Sequence, residues 1–307
     1  MQFEFKIELF MKRIALFLLI VSALFACSSV PITGRKQLNL VSDGEVLSLS
    51  LQEYSDYIKT AKKSTDKNAT ALVVKVGQNI AKAVELYYKS IGGEELLKDY
   101  AWEFNLVDDP QVNAFCMPGG KIVVYTGILP VTQDETGLAV VLGHEVAHAV
   151  AKHANERMSQ QVAAQYGSQA VSILTGKASE SMKTIAQQVY GLGAQYGVLL
   201  PFNRTQESEA DHLGLIFMAI AGYNPQAAVP FWQRMSQNGQ SVPEFMSTHP
   251  SDATRVANIQ KELPEAMEVY KSVWGKYPAG YTPAPGTTPA SGSSTGTTPK
   301  TSNQWRF

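Results

Sequence analysis

Residues 132–150 read TQDETGLAVVLGHEVAHAV, and the predicted fold is built around this stretch. Its first four residues, Thr132-Gln133-Asp134-Glu135, have the pattern of a capping box at the start of a helix. The apolar residues that follow would bury the flanks of this helix inside a domain. We therefore predict one long helix that starts at Thr132 and reaches Met158 or beyond.

The pentad His144-Glu145-Val146-Ala147-His148 within this helix carries the candidate chemistry. Residues four apart lie on one helix face, so the imidazoles of His144 and His148 can converge on a single metal ion. Glu145 lies one step around the helix, close enough to take a proton from metal-bound water but unable to ligate beside both histidines. The pentad therefore predicts one catalytic zinc ion (Zn²⁺) per chain, with Glu145 as the general base.

A second group of carboxylates, Glu207-Ser208-Glu209-Ala210-Asp211, is predicted at the start of another helix. A catalytic zinc takes three protein ligands and leaves one position for water, so a further ligand is needed. Glu207 and Asp211 share a helix face, so one could ligate while the other orients a histidine from behind. Glu209 points elsewhere, and we expect it to matter little. The alternative is a solvated acidic helix start, which the helix dipole favours.

The rest of the domain is predicted to be mainly helical with one small sheet. Capping and spacing patterns predict further helices, which start at Ser42-Asp43-Gly44-Glu45, cover Ala69–Ser90 and Thr205–Ala221, and follow a cap at Asn224-Pro225. Alternation and turn signals predict three strands, Trp102–Val107, Asn113–Met117 and Lys121–Tyr125. The predicted fold class is therefore α+β, with a small antiparallel sheet just before the long helix.

The strand Lys121–Tyr125 could also hold a substrate, because an extended peptide can add to a sheet edge through main-chain hydrogen bonds. Asn113 and the turn Pro118-Gly119-Gly120 would set that edge near the metal. We predict Asn113, Gly119 and Gly120 as substrate-binding residues. The alternative is an ordinary hairpin of the core.

The N-terminus has the pattern of a bacterial lipoprotein signal peptide. Two basic residues precede the apolar stretch Ile14–Ala26, whose 13 residues are fewer than the roughly 20 needed to span a bilayer. The sequence Leu24-Phe25-Ala26-Cys27 resembles a lipoprotein processing box, so residues 1–26 are predicted to be removed and Cys27 to carry a lipid anchor. Met11 is a plausible true start. The alternative is a secretory signal with an incidental cysteine.

Composition limits the remaining organisation and the partners. We predict a tether over residues 27–41, a metallopeptidase domain over residues 42–277, and a disordered Thr/Pro/Gly/Ser tail over residues 278–307. A formal net charge of −1 gives no electrostatic reason to expect a nucleic acid as partner. Two cysteines provide no disulfide framework. No pattern predicts an oligomeric state.

The motifs as a set resemble the gluzincin metallopeptidases that include the CAAX prenyl proteases, HtpX, Oma-type proteases and BepA. The resemblance covers about Thr33–Pro264 and rests on Thr33-Gly34-Arg35-Lys36-Gln37-Leu38, Asn113-Ala114-Phe115, Pro118-Gly119-Gly120, the His144 pentad, Glu207 to Asp211, Ala221-Gly222-Tyr223-Asn224-Pro225, and His249-Pro250 with Arg255. It implies a zincin-like metallopeptidase fold with the active-site helix beneath the sheet. It also implies that Glu207 is the third zinc ligand, with Asp211 placed behind a ligand.

The resemblance further implies a site for His249, close to the metal. His249 could stabilise the tetrahedral intermediate or occupy the fourth zinc position in a latent state. Arg255 could pair with Asp211 or Glu207 and hold that loop, or it could be a surface cation. Two other histidines, His153 and His212, are predicted to lie off the ligand face, with surface, capping or structural roles.

The sequence thus predicts a zinc-dependent endopeptidase of the cell envelope. The expected substrates are misfolded or unassembled envelope proteins, and the expected location is the periplasmic face of the outer membrane, through the Cys27 anchor. The alternative is a chaperone-like assembly factor with a latent, rarely proteolytic zinc site. A candidate lid over residues 160–195, rich in Ala, Gln, Ser and Gly, and the residue His249 keep that alternative open.

Overall fold

The computed structural model of the protein describes residues 27–30, 33–166, 184–185, 203–237, 249 and 253–282. The predicted signal peptide, most of the candidate lid and most of the C-terminal tail lie outside these described residues. No helix within the described ranges is long and apolar enough to cross a membrane.

The described chain is mainly helical with two small sheets, and the predicted α+β class is confirmed. The helices are α1 (Asp43–Thr60), α2 (Lys67–Ser90), α3 (Leu129–Thr132), α4 (Glu135–Val150), α5 (His153–Tyr166), α6 (Arg204–Ile220), α7 (Ala228–Gln237) and α8 (Ala253–Trp274). The strands are β1 (Cys27–Ser29), β2 (Lys36–Leu38), β3 (Glu103–Val107), β4 (Ala114–Met117) and β5 (Lys121–Tyr125). The three strands predicted before the long helix are therefore present.

The three-stranded sheet has the order β3-β5-β4 and is mixed, not purely antiparallel. The β4–β5 hairpin is antiparallel, with Cys116 opposite Ile122, whereas β5 lies parallel to β3. Because β5 is the central strand, both of its edges are already paired. The prediction that Lys121–Tyr125 offers a free edge is therefore wrong, and β4 is the edge strand that packs on α4.

Helix α4 runs through the centre of the core. Every residue from Gly137 to Val150 is buried, including the polar side chains of His144, Glu145 and His148. It packs between α2 and α6 and against β4. Burying polar side chains is unfavourable unless they are paired, so these three mark the part of the core that serves something other than packing.

Two glycines bring α4 and α6 unusually close. A Cβ atom built on Gly143 would lie 3.0 Å from the carbonyl oxygen of Gly214, and one built on Gly214 would lie 3.0 Å from the backbone nitrogen of His144. Both contacts are with main-chain atoms, which cannot rotate away as a flexible side chain would. The crossing therefore requires glycine on both helices, and it brings the donors of α4 and α6 within reach of one another.

The predicted single helix from Thr132 to Met158 is wrong at both ends. Its N-cap is Asp134, whose carboxylate accepts a hydrogen bond from the backbone N–H of Gly137 at 2.7 Å. Its C-terminal part is a separate helix, because Lys152 adopts a left-handed conformation with φ of 59°. This break redirects the chain, so α5 does not continue the face pattern of α4.

The N-terminal segment, predicted as an irregular tether, contains a short hairpin. Strands β1 and β2 pair antiparallel, with Cys27 opposite Leu38. The chain then docks on α5, where the Ser159 hydroxyl accepts hydrogen bonds from the backbone N–H groups of Leu40 and Val41, at 2.8 and 3.2 Å. The segment is thus fixed to the helix that follows α4.

Candidate metal centre

Four buried side chains converge at one point of the core. His144 and His148 come from α4, Glu207 comes from α6, and His249 comes from the segment before α8; one donor atom of each lies within 4.8 Å of the others. The Nε2 atoms of His144 and His148 are 3.0 Å apart. Glu207 Oε1 lies 3.3 Å from His148 Nε2 and 3.0 Å from His249 Nδ1.

The donor spacing fits a tetrahedral zinc ion. Ligand atoms about 2.0–2.1 Å from a tetrahedral zinc are separated from one another by about 3.3–3.4 Å. His144 Nε2 lies 3.0 Å from His148 Nε2 and 3.3 Å from His249 Nδ1. Glu207 Oε1 lies 3.3 Å from His148 Nε2 and 3.0 Å from His249 Nδ1, and all four donors lie within 4.8 Å of one another. Imidazole nitrogens that face one another can share only one proton. A cation between them therefore suits this cluster better than hydrogen bonds alone.

Glu145 lies beside the cluster and is not one of the four converging donors. Its side chain is buried, and Oε1 has no hydrogen-bond partner within the described part of the chain. That oxygen lies 3.4 Å from Nε2 of His249. Burial raises the pKa of the Glu145 carboxyl above its usual range, which makes it a stronger proton acceptor than an exposed glutamate.

Asp211 and Arg255 lie behind His144. Asp211 Oδ1 is 3.0 Å from His144 Nδ1, so the carboxylate can hold the ring with Nε2 directed at the cluster. Arg255 donates to both Asp211 oxygens, from Nε at 2.8 Å and from Nη2 at 2.7 Å. Although burial opposes it, the hydrogen bonds to Asp211 and Glu207 raise the pKa of His144 to about 9.

Arg255 also connects Glu207 with Asp211, which lie one turn apart on α6. Its Nη1 lies 2.9 Å from Oε2 of Glu207, and its guanidinium stacks over the ring of Trp232, with 3.3 Å between its central carbon and the ring centroid. Burial would raise the pKa of Glu207, but the nearby charges of His249 and Arg255 hold it well below its usual range. Arg255 is buried and is therefore not a surface cation.

His153 and Glu209 lie behind His148, and the prediction that they stand away from the centre is wrong. His153 is completely buried, with Nδ1 2.7 Å from Nδ1 of His148 and Nε2 2.9 Å from Oε2 of Glu209. Glu209 in turn binds Thr33 and Arg35. The helix break at Lys152 turns His153 toward His148, which a continuous helix would not do. The feature of the sequence that could indicate this arrangement is Thr33-Gly34-Arg35, because two of its side chains bind Glu209.

The predicted substrate-binding residues lie at the two ends of β4. Asn113 uses its side-chain oxygen to accept from the N–H of Ala114, and its carbonyl accepts from the N–H of Tyr125. Gly119 and Gly120 form the turn to β5 with φ of 86° and 79°. Because both positions have a left-handed backbone, glycine is favoured there for a structural reason that is independent of substrate binding.

Three further residues named from the sequence, His212, Cys27 and Cys116, are not among the four converging donors. His212 is partly exposed, 3.8 Å from Glu262. Cys27 has a described backbone in β1, but its side chain lies outside the described atoms. Cys116 is a free cysteine on β4, and burial together with the charge of Glu145 raises the pKa of its thiol.

An H-E-x-x-H helix joined by a glutamate from a second helix provides the donor set of a zinc metallopeptidase. Residues 77–263 match the model of peptidase family M48, and the chain belongs to this family, whose members are zinc-dependent. The resemblance noted in the sequence is thereby confirmed.

Curated relatives fall into two groups. The mitochondrial metalloendopeptidase OMA1 of Saccharomyces cerevisiae is 30% identical over 251 residues, which cover 78% of this chain and 70% of the relative. OMA1 of Homo sapiens is 32% identical over 248 residues, 78% of this chain and 46% of the relative. The beta-barrel assembly-enhancing protease of Escherichia coli is 27% identical over 171 residues, 52% of this chain and 34% of the relative. The matched segments thus cover between 34% and 70% of the length of these relatives.

Proposed function

We propose that the chain is a zinc-dependent endopeptidase whose metal is held by His144, His148 and Glu207. The observation that carries this proposal is the convergence of these three donors, and of His249, within 4.8 Å in the core, with Glu145 beside them. The relatives named metalloendopeptidase and protease support the same reaction class. Purified protein should cleave an unfolded model polypeptide, lose this activity with a chelator and regain it with zinc; activity that a chelator leaves intact would contradict the proposal.

Different residues of the chain would have different roles in hydrolysis. Zinc, when bound, would polarise the scissile carbonyl and lower the pKa of a water molecule. Glu145 would take the proton of the attacking water at its carboxylate and pass it to the leaving amine. Asp211 would keep His144 oriented with Nε2 toward the metal, and Arg255 would hold Asp211 in place through its two hydrogen bonds.

His249 gives the site a closed form. Its Nδ1 joins the donor set while its Nε2 faces Glu145 at 3.4 Å, so the ring stands between the proposed ligands and the proposed base. A ring in that position takes the place of the water that Glu145 must activate. We infer that His249 is a latch that a bound substrate displaces, by a population shift of about a few kcal/mol. The competing role, stabilisation of the developing oxyanion, requires the ring to turn out of the donor set.

The closed form also keeps a second candidate function open. A site latched by His249 would serve a chaperone-like envelope assembly factor that cleaves rarely. The two functions differ in the cleavage assay, because only the peptidase should turn over an unfolded polypeptide repeatedly.

Substrate would bind along β4. This strand is the edge of the described three-stranded sheet and packs on α4, beside Glu145. An extended polypeptide could add to this edge with main-chain hydrogen bonds, which tolerate many sequences. Asn113 and the turn at Gly119 and Gly120 would then frame the ends of the bound segment.

The proposed substrates are misfolded or unassembled proteins of the cell envelope, reached from a lipid anchor at Cys27. The beta-barrel assembly-enhancing protease of Escherichia coli is named for an assembly process, which supports unassembled proteins as substrates. A comparison of envelope proteomes from cells with the native chain and with Glu145→Gln should reveal proteins that accumulate only with the variant. An unchanged envelope proteome would contradict this choice of substrates.

A further inference from the structure

The turn Thr33-Gly34-Arg35 between β1 and β2 reaches the residues that lie behind the proposed ligand His148. Arg35 Nε donates to Oε2 of Glu209 at 2.7 Å, and the Thr33 hydroxyl donates to Oε1 of the same carboxylate. Glu209 accepts from Nε2 of His153 at 2.9 Å, and His153 Nδ1 lies 2.7 Å from Nδ1 of His148. A continuous chain of contacts thus runs from the N-terminal hairpin to a proposed metal ligand.

The partners fix the direction of these hydrogen bonds. His148 directs Nε2 at the metal position, so that nitrogen must offer a lone pair and Nδ1 must carry the proton. His148 therefore donates to Nδ1 of His153, which leaves the proton of His153 on Nε2, facing Glu209. Glu209 is acceptor to three donors, from His153, Thr33 and Arg35. The two oxygens of a carboxylate offer about four acceptor positions, which accommodate all three donors.

Arg35 balances more than one buried charge. Its Nη1 and Nη2 donate to the two oxygens of Glu156, at 3.0 and 2.8 Å, and Glu156 also accepts from the side chain of Gln206 at 2.7 Å. Glu156 and Glu209 are 5% and 6% exposed. Without the guanidinium, two buried carboxylates on different helices would lose their cation, and a buried unpaired charge is strongly unfavourable.

We propose that Arg35 is a positioning residue for the metal ligand His148, acting through Glu209 and His153. This inference rests on the proposed function, because it takes His148 as a ligand. Partners that orient a ligating histidine typically contribute about 10–100-fold to metal affinity. The chain segment that starts at Cys27 is therefore part of the metal centre's support, and a cut within the hairpin would weaken metal binding.

The test is the zinc affinity of the purified full chain, measured by competition with a chelating dye. We expect Arg35→Ala to weaken zinc binding by about 10-fold or more, and Arg35→Lys, which keeps one charge but not the fork, to weaken it less. Lys36→Ala is the charge control, because Lys36 lies on the same hairpin and its ammonium group donates to the Ser29 hydroxyl, not to Glu209 or Glu156. It should bind zinc as the native chain does.

We call the contacts from Arg35 through Glu209 and His153 to His148 the relay. A second control separates loss of this relay from simple loosening of the hairpin. Ser159→Ala removes the hydrogen bonds that dock Leu40 and Val41 on α5 but touches no member of the relay. It should lower the melting temperature of the metal-free protein without a comparable loss of zinc affinity. If Ser159→Ala and Arg35→Ala lose zinc affinity equally at equal loss of stability, Arg35 acts only by holding the hairpin in place and not through the relay.

A double-mutant cycle tests the route through Glu209. If Arg35 acts through this carboxylate, the losses of zinc affinity in Arg35→Ala and Glu209→Gln should not add in the double variant. Additive losses, or native zinc affinity in Arg35→Ala, would overturn the inference. A native chain that binds no zinc would instead overturn the proposed function, so the two failures are distinguishable.

Discussion

His249 is the residue for which the structure adds most to the sequence, because it gives the position of the ring. The sequence left it either as an oxyanion stabiliser or as a fourth ligand, and the structure places its Nδ1 3.0 Å from Oε1 of Glu207 and 3.3 Å from Nε2 of His144. Both distances belong to a ring inside the donor set. If His249 is the latch proposed above, this one side chain decides whether Glu145 faces a water molecule.

His249→Ala is expected to raise the basal rate of cleavage, because it removes the ring that excludes water from Glu145. The measurement is the initial rate on an unfolded model polypeptide, with zinc content determined on the same sample. A rate lower by about 10²-fold or more would mean that the imidazole stabilises the transition state instead. An unchanged rate would leave His249 with neither role.

At the scale of elements, the metal centre depends on how closely α4 and α6 cross. Gly143 and Gly214 meet through their backbones, and Glu207 lies two turns before Gly214 on the same helix. A methyl group at the crossing would separate the helices by a few tenths of an ångström. The separation would move Glu207 relative to both histidines of α4.

Gly214→Ala should therefore destabilise the protein by about 1–3 kcal/mol, the usual cost of overpacking a close contact, and should also weaken zinc binding. Chemical denaturation and the chelator competition measure the two effects. Gly44→Ala is the matched control, because a Cβ atom on Gly44, also in a helix, would meet nothing within 4 Å. Native stability and native zinc affinity in Gly214→Ala would contradict the proposed importance of the crossing.

The sequence was most informative where a local pattern determines the outcome. The spacing of His144 and His148 placed both rings on one face because an intact helix separates them. The same spacing argument failed for His153, because the left-handed residue Lys152 breaks the helix just before His153. Lysine is not a residue type that indicates a left-handed conformation. The pairing of β5 with β3 was equally hidden, because strand order depends on contacts distant in the sequence.

At the scale of the whole molecule, the proposed lipid anchor and the proposed support of the metal centre lie in the same N-terminal segment. Strand β1 starts at Cys27, and the hairpin it opens supplies Arg35 to the back of the metal centre. A lipid at Cys27 would then hold the membrane close to a segment that supports the site.

Mass spectrometry of the native N-terminus should find a chain that begins at acylated Cys27, in the membrane fraction. Cys27→Ala should prevent both processing and anchoring, because the thiol is the attachment point. With Ser28 as the next residue, we expect sorting to the outer membrane. A soluble product with an unmodified Cys27 would contradict the anchor.

The most direct test of the proposed mechanism measures cleavage and zinc content together in Glu145→Gln and Glu207→Gln. Glutamine keeps the shape of glutamate but cannot accept the proton of water, so Glu145→Gln should cut cleavage by at least about 10²-fold while zinc stays bound. Glu207→Gln should lose zinc and activity together, because Glu207 is a proposed ligand. Near-normal cleavage by Glu145→Gln, or loss of its zinc, would contradict the assignment of Glu145 as the base beside the metal.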